Sequence, residues 1–508
     1  MNECGKSDGP VVPAKPPNNA ATKAAAEVVE ERGPAKGNAD SETRPGRRAG
    51  QGESSELDRV REAAQKDRDA RFTALLHHIT PDRLRAAYRA LNPKAAAGSD
   101  EVTWEAYGHD LEARLRELHA RLHRGAHRAK PARRVHIPKP DGSTRPLGIA
   151  ALEDKIVQRA TVEVLNAIYE QDFLGFSYGF RPGRSPHDAL DALAVGIERR
   201  KVNWVLDMDI REAFTSLDHR WLVDFLEHRI ADRRVLRLIG KWLGAGVIEE
   251  GSWAAQEGVA QGASISPLLA NVYFHYALDL WVHQWRKRHA RGEMIFVRFA
   301  DDCVVGFERR DDAERFHCEL GGRLAEFALE LHPQKTRLIE FGRFAAERRK
   351  GRGEGKPETF EFLGFTHICA KTRAGRFKLK RVTAKKRVRA KLREAKAEMR
   401  RRQHQPFPDQ GRWLASVLRG HANYYGVPGN SKALRAFRYQ LTRHWLRSLR
   451  RRSQRSRMSW ERMQRIATRC IPEVRIAHPW PDARFDAKTQ GRSPVRQSRT
   501  LGSVRGAA

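Results

Sequence analysis

The sequence has few cysteines and no long hydrophobic run, and each absence excludes a class of protein. Five cysteines are scattered over 508 residues without a Cys-x-x-Cys pair, so neither a disulfide framework nor a zinc module is indicated. No segment approaches the roughly 18 uncharged apolar residues that a membrane span needs. The first residues, MNECGKSDGP, lack the apolar centre of a signal peptide. We therefore expect a soluble intracellular protein.

Acidic residues are also scarce relative to basic ones. The chain has 96 Lys and Arg against 62 Asp and Glu, a net charge of +34. Self-repulsion of that size is usually retained where a polyanion neutralises it. Between residues 371 and 460 there are 28 basic and 3 acidic residues, so this stretch alone carries +25. We expect a nucleic-acid partner, with an anionic membrane surface as the second candidate, and a domain boundary near residue 370.

The pattern along the chain predicts helices interleaved with strand pairs. Residues 1–60 are rich in Ala, Pro, Gly, Lys and Glu without periodicity, which predicts a disordered tail. VHIPKPDGSTRPLGI reads as two short strands around a Pro-Asp-Gly turn, and MIFVRFADDCVVGF as strand, tight turn and strand. Thr80 before Pro81 marks a helix start, and Ser266 is placed to cap another helix. This order predicts an α+β fold.

Two adjacent aspartates, Asp301 and Asp302, lie between the apolar runs of RFADDCVVGF. At roughly 4 Å and an effective dielectric near 20, two such charges repel by about 4 kcal/mol, so a cation is expected to offset them. In WVLDMDI, alternation with period two places Asp207 and Asp209 on one face, and spacing alone does not choose between them. Carboxylates from two such strands suit Mg²⁺, which prefers oxygen ligands. A solvated turn is the plainer alternative for an Asp-Asp pair.

Eight blocks in order resemble the group II intron reverse transcriptases and maturases. They are LNPKAAAGSDEVT, IPKPDGSTRPLGI, FSYGFRPGRSPHDAL, DMDIREAF, AQGASISPLLANVYFHYALD, RFADD, LHPQKTRLI and FEFLGF. The resemblance implies an RNA-directed DNA polymerase with a right-hand palm and fingers, a helical thumb, and an α-helical maturase domain, domain X, that binds intron RNA. It assigns residues 61–370 to fingers and palm, 371–405 to the start of the thumb, 406–475 to domain X and 476–508 to a basic tail that could bind DNA.

The resemblance also implies roles for particular residues. Asp209, Asp301 and Asp302 would hold two Mg²⁺ ions, with the downstream aromatic of the motif selecting Asp209 over Asp207. The residues expected near the deoxynucleoside triphosphate and the template are Lys139, Arg145, Phe214, Gln261 and Lys335. Those expected to contact intron RNA are Arg181, Arg184, Tyr424, Tyr425, Arg450, Arg451 and Arg452. FEFLGF is similar to the hairpin that grips the primer strand.

Partners and location follow from the same resemblance. Intron RNA, a DNA primer or target and deoxynucleoside triphosphates are the expected partners, without a membrane, in the bacterial cytoplasm at the nucleoid. No cysteine-paired endonuclease module follows HPWPDARFDAKTQGRSPVRQ, so the resemblance implies a subgroup without that domain. The expected function is RNA-directed DNA synthesis together with assistance to splicing and retrohoming.

Several assignments have alternatives. Phe214 could be an ordinary core phenylalanine, and the hairpin around Lys139 and Arg145 a solvated basic turn. The aromatic and basic residues of FSYGFRPGRS suit a nucleic-acid track, but a core aromatic cluster competes. Four positions depart from the family's pattern without removing a metal ligand: Phe299, Ala213, Thr215 and Ala260. These departures favour the alternative function, an RNA-binding splicing maturase with weak or lost polymerase activity.

Overall fold

The computed structural model describes residues 51–138, 144–452 and 458–490. Helices and strands alternate along the described chain, as the sequence pattern predicts. The helices are α1 Gln51–Lys66, α2 Pro81–Arg89, α3 Trp104–Gly108, α4 Leu111–His123, α5 Leu152–Asp172, α6 Pro186–Arg199, α7 His219–Glu227, α8 Arg233–Gly244, α9 Ser266–Phe274, α10 Leu280–Arg288, α11 Arg310–Ala325, α12 Ala345–Gly351, α13 Lys385–Arg401, α14 Phe407–Tyr425, α15 Ser431–Arg450, α16 Trp460–Cys470 and α17 Pro481–Gln490. None of these helices is long and apolar enough to cross a membrane.

The strands form three sheets within the described residues. They are β1 Ala132–Pro138, β2 Thr144–Ile149, β3 Trp204–Asp209, β4 Val247–Glu249, β5 Ser252–Ala254, β6 Met294–Phe299, β7 Asp302–Phe307, β8 Arg337–Glu340, β9 Phe360–Phe362, β10 Phe365–Lys371 and β11 Phe377–Thr383. Their orders are β2-β1-β4-β5, β6-β7-β3-β8 and β11-β10-β9. All pairings are antiparallel except that of β1 with β4.

The sheet β6-β7-β3-β8 is covered on both faces, because its strands alternate between two hydrophobic cores. Leu206, Phe296 and Val305 belong to the largest core, which α5, α9 and α11 share. Val205 and Val304 point to the opposite face and pack beneath α6. The C-terminal helices α13 to α16 enclose a third, separate core. The central sheet is thus held rigidly at the point where its carboxylates lie.

Of the two helix starts predicted from the sequence, one is confirmed and the other is wrong. Thr80 caps α2 as predicted, because its hydroxyl accepts a hydrogen bond from the Arg83 amide at 3.1 Å. Ser266 does not cap α9: it is the first helical residue, and its hydroxyl donates to the Ala260 carbonyl at 2.7 Å. The predicted strand pair around Pro-Asp-Gly is present as β1 and β2, while residues 139–143, including Lys139, lie outside the described residues.

Three predicted boundaries need correction. The predicted tail overlaps α1, which begins at Gln51 and buries Leu57 and Val60 against the main core; residues 1–50 lie outside the described residues. The boundary at residue 371 falls inside the β10–β11 hairpin, so the change in charge there is not a structural boundary. The predicted basic tail from residue 476 contains α17, which packs against α6.

Candidate active site

Two of the three predicted metal ligands face each other across neighbouring strands. Asp209 at the end of β3 pairs directly with Asp302 at the start of β7. On β3, Leu206 and Met208 are buried while Asp209 reaches solvent, as the alternation predicted. Asp301 precedes Asp302 in the tight turn that joins β6 to β7. The register therefore gathers the three carboxylates at one end of the central sheet.

The turn that carries the aspartate pair is closely supported. Ala300 has a φ of 57°, a left-handed conformation that a residue with a side chain rarely adopts. Gly179 lies against it, since a Cβ there would be 2.2 Å from the Ala300 nitrogen. The Gly179 carbonyl in turn accepts a hydrogen bond from the Asn271 side chain at 2.8 Å. Backbone strain at this turn persists because the surroundings fix it.

A buried ion pair beneath the turn was missed by the sequence analysis. Arg298 and Asp279 are both fully buried, and two guanidinium nitrogens donate to the carboxylate at 2.7 and 2.6 Å. Asp279 ends a short π-helical stretch, His275–Asp279, between α9 and α10. Arg298 also donates to the Ala300 carbonyl at 3.0 Å. An arginine among the apolar residues of MIFVRF was the available signal, because a charge within a buried strand requires a partner.

The carboxylates at the end of the sheet repel one another. The side chain of Asp302 reaches solvent, yet burial of the carboxyl group, with the charges of Asp301 and Asp209, raises its pKa to about 7. Burial, then the charge of Asp209, raises the pKa of Asp301 as well. Burial raises the pKa of Asp207 to about 6, although Arg337 lies 3.4 Å away. Burial therefore disfavours the ionised forms of these carboxylates in the absence of a cation.

Lys335 lies in the site, where it contacts a predicted metal ligand. Its ammonium group is 2.7 Å from Asp209 Oδ2, and its side chain is 61% exposed. Exposed ion pairs of this kind contribute about 0–1 kcal/mol, so a divalent cation can displace the ammonium at little cost. Across residues 51–138, 144–452 and 458–490, no group of three His, Cys, Asp or Glu side chains is arranged to hold a metal ion.

Three further residues predicted to contact substrate lie on β2 or on loops hydrogen-bonded beside it. Arg145 on β2 is exposed, and its charge opposes the rise in the pKa of Asp301 that burial causes. Phe214 is half-buried against the main core, and its carbonyl accepts from the Val259 amide at 2.8 Å. The Gln261 carbonyl accepts from the Gly148 amide at 2.7 Å. The loop that bears Phe214 is therefore hydrogen-bonded to the loop that bears Gln261, and that second loop is hydrogen-bonded to β2.

Gly262 has a structural reason to be glycine. Its φ is +106°, and a Cβ there would be 2.7 Å from the Leu147 side chain and 2.9 Å from the Gly148 carbonyl oxygen. Close approach to β2 therefore excludes a side chain, independently of any contact with template or nucleotide. The loop before α9 lies directly against the strand that carries Arg145.

Arg181 cannot contact RNA as predicted. It is buried and forms an ion pair with Glu170 at 2.9 Å, while its remaining donors reach the carbonyls of Leu174 and Ser177. For its aromatic neighbours Phe176 and Tyr178, the core-cluster alternative is correct, because both are buried. The basic and aromatic pattern was ambiguous here since a buried carboxylate satisfies arginine as well as a phosphate does.

The other predicted RNA contacts lie in different surroundings. Arg184 is half-buried over the Tyr178 ring. Tyr424 and Tyr425, at the end of α14, are half-buried and pack on Phe365. Arg450 and Arg451 are exposed at the end of α15, and Arg452 is half-buried and donates to the carbonyls of Gln403 and Gln405. The exposed pair remains a predicted RNA contact.

The close approach of Gly179 to the aspartate turn gives a first prediction. Gly179→Ala should lower kcat for primer extension about 100-fold, since a displacement of about 1 Å at reacting groups can cost that much. Binding of intron RNA should not change. Steady-state primer extension and a filter-binding assay measure the two quantities.

The matched control for Gly179→Ala is Gly321→Ala. A Cβ at Gly321 on α11 meets no atom within 4 Å, so this variant should behave as the unmodified chain. If Gly179→Ala retains full kcat, the turn tolerates displacement, and the rigidity inferred for the aspartate pair is wrong.

Comparison with known proteins agrees with this geometry. Residues 137–367 match the family described as reverse transcriptase (RNA-dependent DNA polymerase). Protein YkfC of Escherichia coli (strain K12) is 34% identical over 312 residues, which are 54% of this chain and 81% of YkfC. The chain belongs to the reverse transcriptase family.

A second relative narrows the assignment. The group II intron-encoded protein LtrA of Lactococcus lactis subsp. cremoris is 33% identical over 238 residues, which cover 46% of this chain and 39% of LtrA. An uncharacterized 91 kDa protein in a cob intron of Schizosaccharomyces pombe is 41% identical over 146 residues, 28% of this chain and 18% of that protein. Within the reverse transcriptases, the chain groups with the intron-encoded reverse transcriptases and maturases.

Proposed function

We propose that the protein is an RNA-directed DNA polymerase that also binds its intron RNA and assists splicing and retrohoming. The observation that carries the polymerase activity is the pairing of Asp209 with Asp302 across β3 and β7, with Asp301 in the adjoining turn. The family match supports the same reaction class. Synthesis on intron RNA with a DNA target as primer would place the protein in the bacterial cytoplasm at the nucleoid.

The donor chemistry of the three aspartates suits a pair of Mg²⁺ ions. They supply only oxygen donors, which Mg²⁺ prefers, and burial raises the pKa of Asp301 and Asp302, so that a bound cation would stabilise their ionised forms. When bound, two Mg²⁺ ions would help ionise the primer 3′-hydroxyl and offset the charge of the departing pyrophosphate.

The remaining chemistry belongs to the protein's own side chains. Arg145 is exposed, and its planar guanidinium would suit a pair of triphosphate oxygens. Lys335, once released from Asp209, would donate a proton or hydrogen bond to the leaving pyrophosphate. Phe214, half-buried against the core, would pack under the deoxyribose and exclude a 2′-hydroxyl.

Binding of intron RNA is proposed from charge. The stretch from residue 371 to 460 carries a net charge of +25, and α13 and α15 expose many of its basic side chains. Release of counterions from RNA would make binding strong and steeply dependent on salt. Arg450 and Arg451 are the exposed pair that we assign to this surface.

Two observations favour the alternative, a splicing maturase with weak or lost polymerase activity. In the described structure Lys335 occupies one Asp209 oxygen, and three carboxylates are not arranged around a common point. A lysine that held this position permanently would exclude the metal. Its high exposure favours displacement by a divalent cation.

Primer extension on a homopolymer RNA template tests the proposal. The unmodified chain should incorporate deoxynucleotides with Mg²⁺ and lose all incorporation when EDTA removes the metal. Binding of intron RNA, measured in the same preparations, should persist with EDTA. RNA binding without any extension would reject the polymerase and leave the splicing maturase as the function.

A further inference from the structure

The hairpin that joins β9 to β10 has a strained turn. Leu363 and Gly364 are its two turn residues, since Phe362 pairs directly with Phe365. Their φ angles are 48° and 79°, the conformation that a two-residue hairpin of this kind requires. Glycine adopts it freely, but leucine does so only where neighbouring groups hold it. The turn therefore depends on support from outside the hairpin.

Two tyrosines at the end of α14 provide that support. The Tyr424 hydroxyl donates to the Leu363 carbonyl at 3.0 Å. The Tyr425 hydroxyl lies so close that a Cβ at Gly364 would be 2.9 Å from it. Both rings also pack on Phe365. Their polar atoms are thus directed at the turn, which explains why neither tyrosine is free to serve mainly as an RNA contact.

Residues 477–486, which we call the C-terminal clasp, hold the end of α14 in place. The amides of Ala477 and His478 donate to the Gly426 carbonyl at 2.8 and 3.0 Å. His478 Nε2 lies 2.6 Å from the Asn423 carbonyl, an acceptor, so this nitrogen carries the proton. Its Nδ1 then accepts from Arg484 at 2.9 Å. Both nitrogens of one neutral imidazole are therefore satisfied within the clasp.

The clasp is anchored on α6 at the other end. Asp191, which is buried, accepts from Arg484 of the clasp and from Arg381 of β11, the latter at 2.9 Å. The His187 ring stacks on His478 with ring centroids 3.8 Å apart. Burial lowers the pKa of His187 to about 3, so this ring stays neutral beside the arginines. A continuous set of contacts therefore connects α6, the clasp, α14 and the strained turn.

We propose that the C-terminal clasp positions the Leu363–Gly364 turn for the primer strand, acting through Tyr424. Tyr424 and His478 are then positioning residues that touch neither primer nor nucleotide. The proposal rests on the proposed polymerase function, in which the hairpin of FEFLGF grips the primer. The hairpin begins close to the carboxylates, because Arg337 donates to Asp207 at 3.4 Å and to the carbonyl of Thr359, the residue before β9, at 3.5 Å.

Two variants of the full-length chain test this role. Tyr424→Phe keeps the ring and removes one hydrogen bond, so the Kd and KM for a primer–template duplex should rise about three- to tenfold, while kcat changes by less than about twofold. His478→Ala should raise both constants about tenfold or more, because it removes the contacts to Asn423 and Arg484. His478→Gln, whose amide can donate and accept in their place, should restore most of the affinity.

Tyr439→Phe is the matched control for Tyr424→Phe. Tyr439 is exposed, and its hydroxyl makes no hydrogen bond within the described residues. The Kd and KM of this variant for the primer–template duplex should therefore equal those of the unmodified chain. Unchanged primer–template Kd in Tyr424→Phe would overturn the proposal, and so would an equal loss of intron RNA binding. Because the Kd needs no turnover, an unmodified chain that fails to extend a primer would reject the polymerase function separately.

Discussion

Asp301→Ala is expected to abolish primer extension while leaving intron RNA binding nearly intact. The carboxyl group is one of three that gather at the end of β3 and β7. Loss of a metal ligand at a two-metal centre removes several kcal/mol of transition-state stabilisation, which corresponds to a loss of at least about 10³-fold in rate. The basic surface of the C-terminal helices is untouched. Single-turnover primer extension and RNA filter binding measure the two effects.

Stability gives an independent readout of Asp301→Ala. Burial and the charge of Asp209 raise the pKa of Asp301, so the ionised carboxylate destabilises the metal-free fold at neutral pH. Removing it should leave the melting temperature in EDTA unchanged or higher, which would separate lost chemistry from lost folding. Asp311→Ala, on the exposed surface of α11, should match the unmodified chain in both assays. Undiminished extension in Asp301→Ala would show that the active site has been misassigned.

The local features of the site were predictable because they depend on short-range periodicity. Alternation in WVLDMDI fixes which face of β3 carries Asp207 and Asp209, and the structure agrees. The direct pairing of Asp209 with Asp302 joins positions more than 90 residues apart in the chain. Strand register over that separation depends on tertiary packing, so the expectation that they converge came from the family resemblance.

The errors arise where composition was used in place of contacts. The density of basic residues increases sharply at residue 371, but the β10–β11 hairpin continues across that position. The charge of a segment depends on what it binds, whereas strand pairing depends on the backbone. Arg181 in a basic and aromatic segment has Glu170 as its partner, eleven residues earlier on α5. Composition reports how many charges a segment has, and cannot report whether each is satisfied inside the protein.

The C-terminal clasp is another case in which composition does not reveal contacts, here between residues far apart in the chain. HPWPDARFDAKTQGRSPVRQ reads as a basic tail because its own pattern has no strong amphipathic face. Its helix is nevertheless ordered by partners on α6, where Asp191 accepts from Arg484. Those partners lie almost 300 residues away in the chain, so no local signal could have predicted the contact.

Arg298→Met is expected to destabilise the protein by about 3–5 kcal/mol, the usual cost of leaving a buried charge without its partner. Arg298 and Asp279 are fully excluded from solvent. The side-chain oxygens of Asn271 and Ser177 would also lose the hydrogen bonds that they accept from the guanidinium. Because Arg298 holds the Ala300 carbonyl, the aspartate turn should loosen and primer extension should fall as well. Urea denaturation followed by tryptophan fluorescence measures the stability.

A double variant distinguishes the loss of a charged partner from the loss of side-chain packing. Arg298→Met combined with Asp279→Leu removes both charges and leaves similar volume, and such replacements are often neutral or stabilising. Most of the lost stability should therefore return, although extension should not, because the turn still lacks its hydrogen bond from residue 298.

The control Arg309→Met removes an exposed arginine that pairs with Asp311 at the surface and should leave the denaturation midpoint unchanged. A single Arg298→Met variant as stable as the unmodified chain would mean that Asp279 takes up a proton and needs no cation, and the ion pair would then be dispensable for the fold of the site.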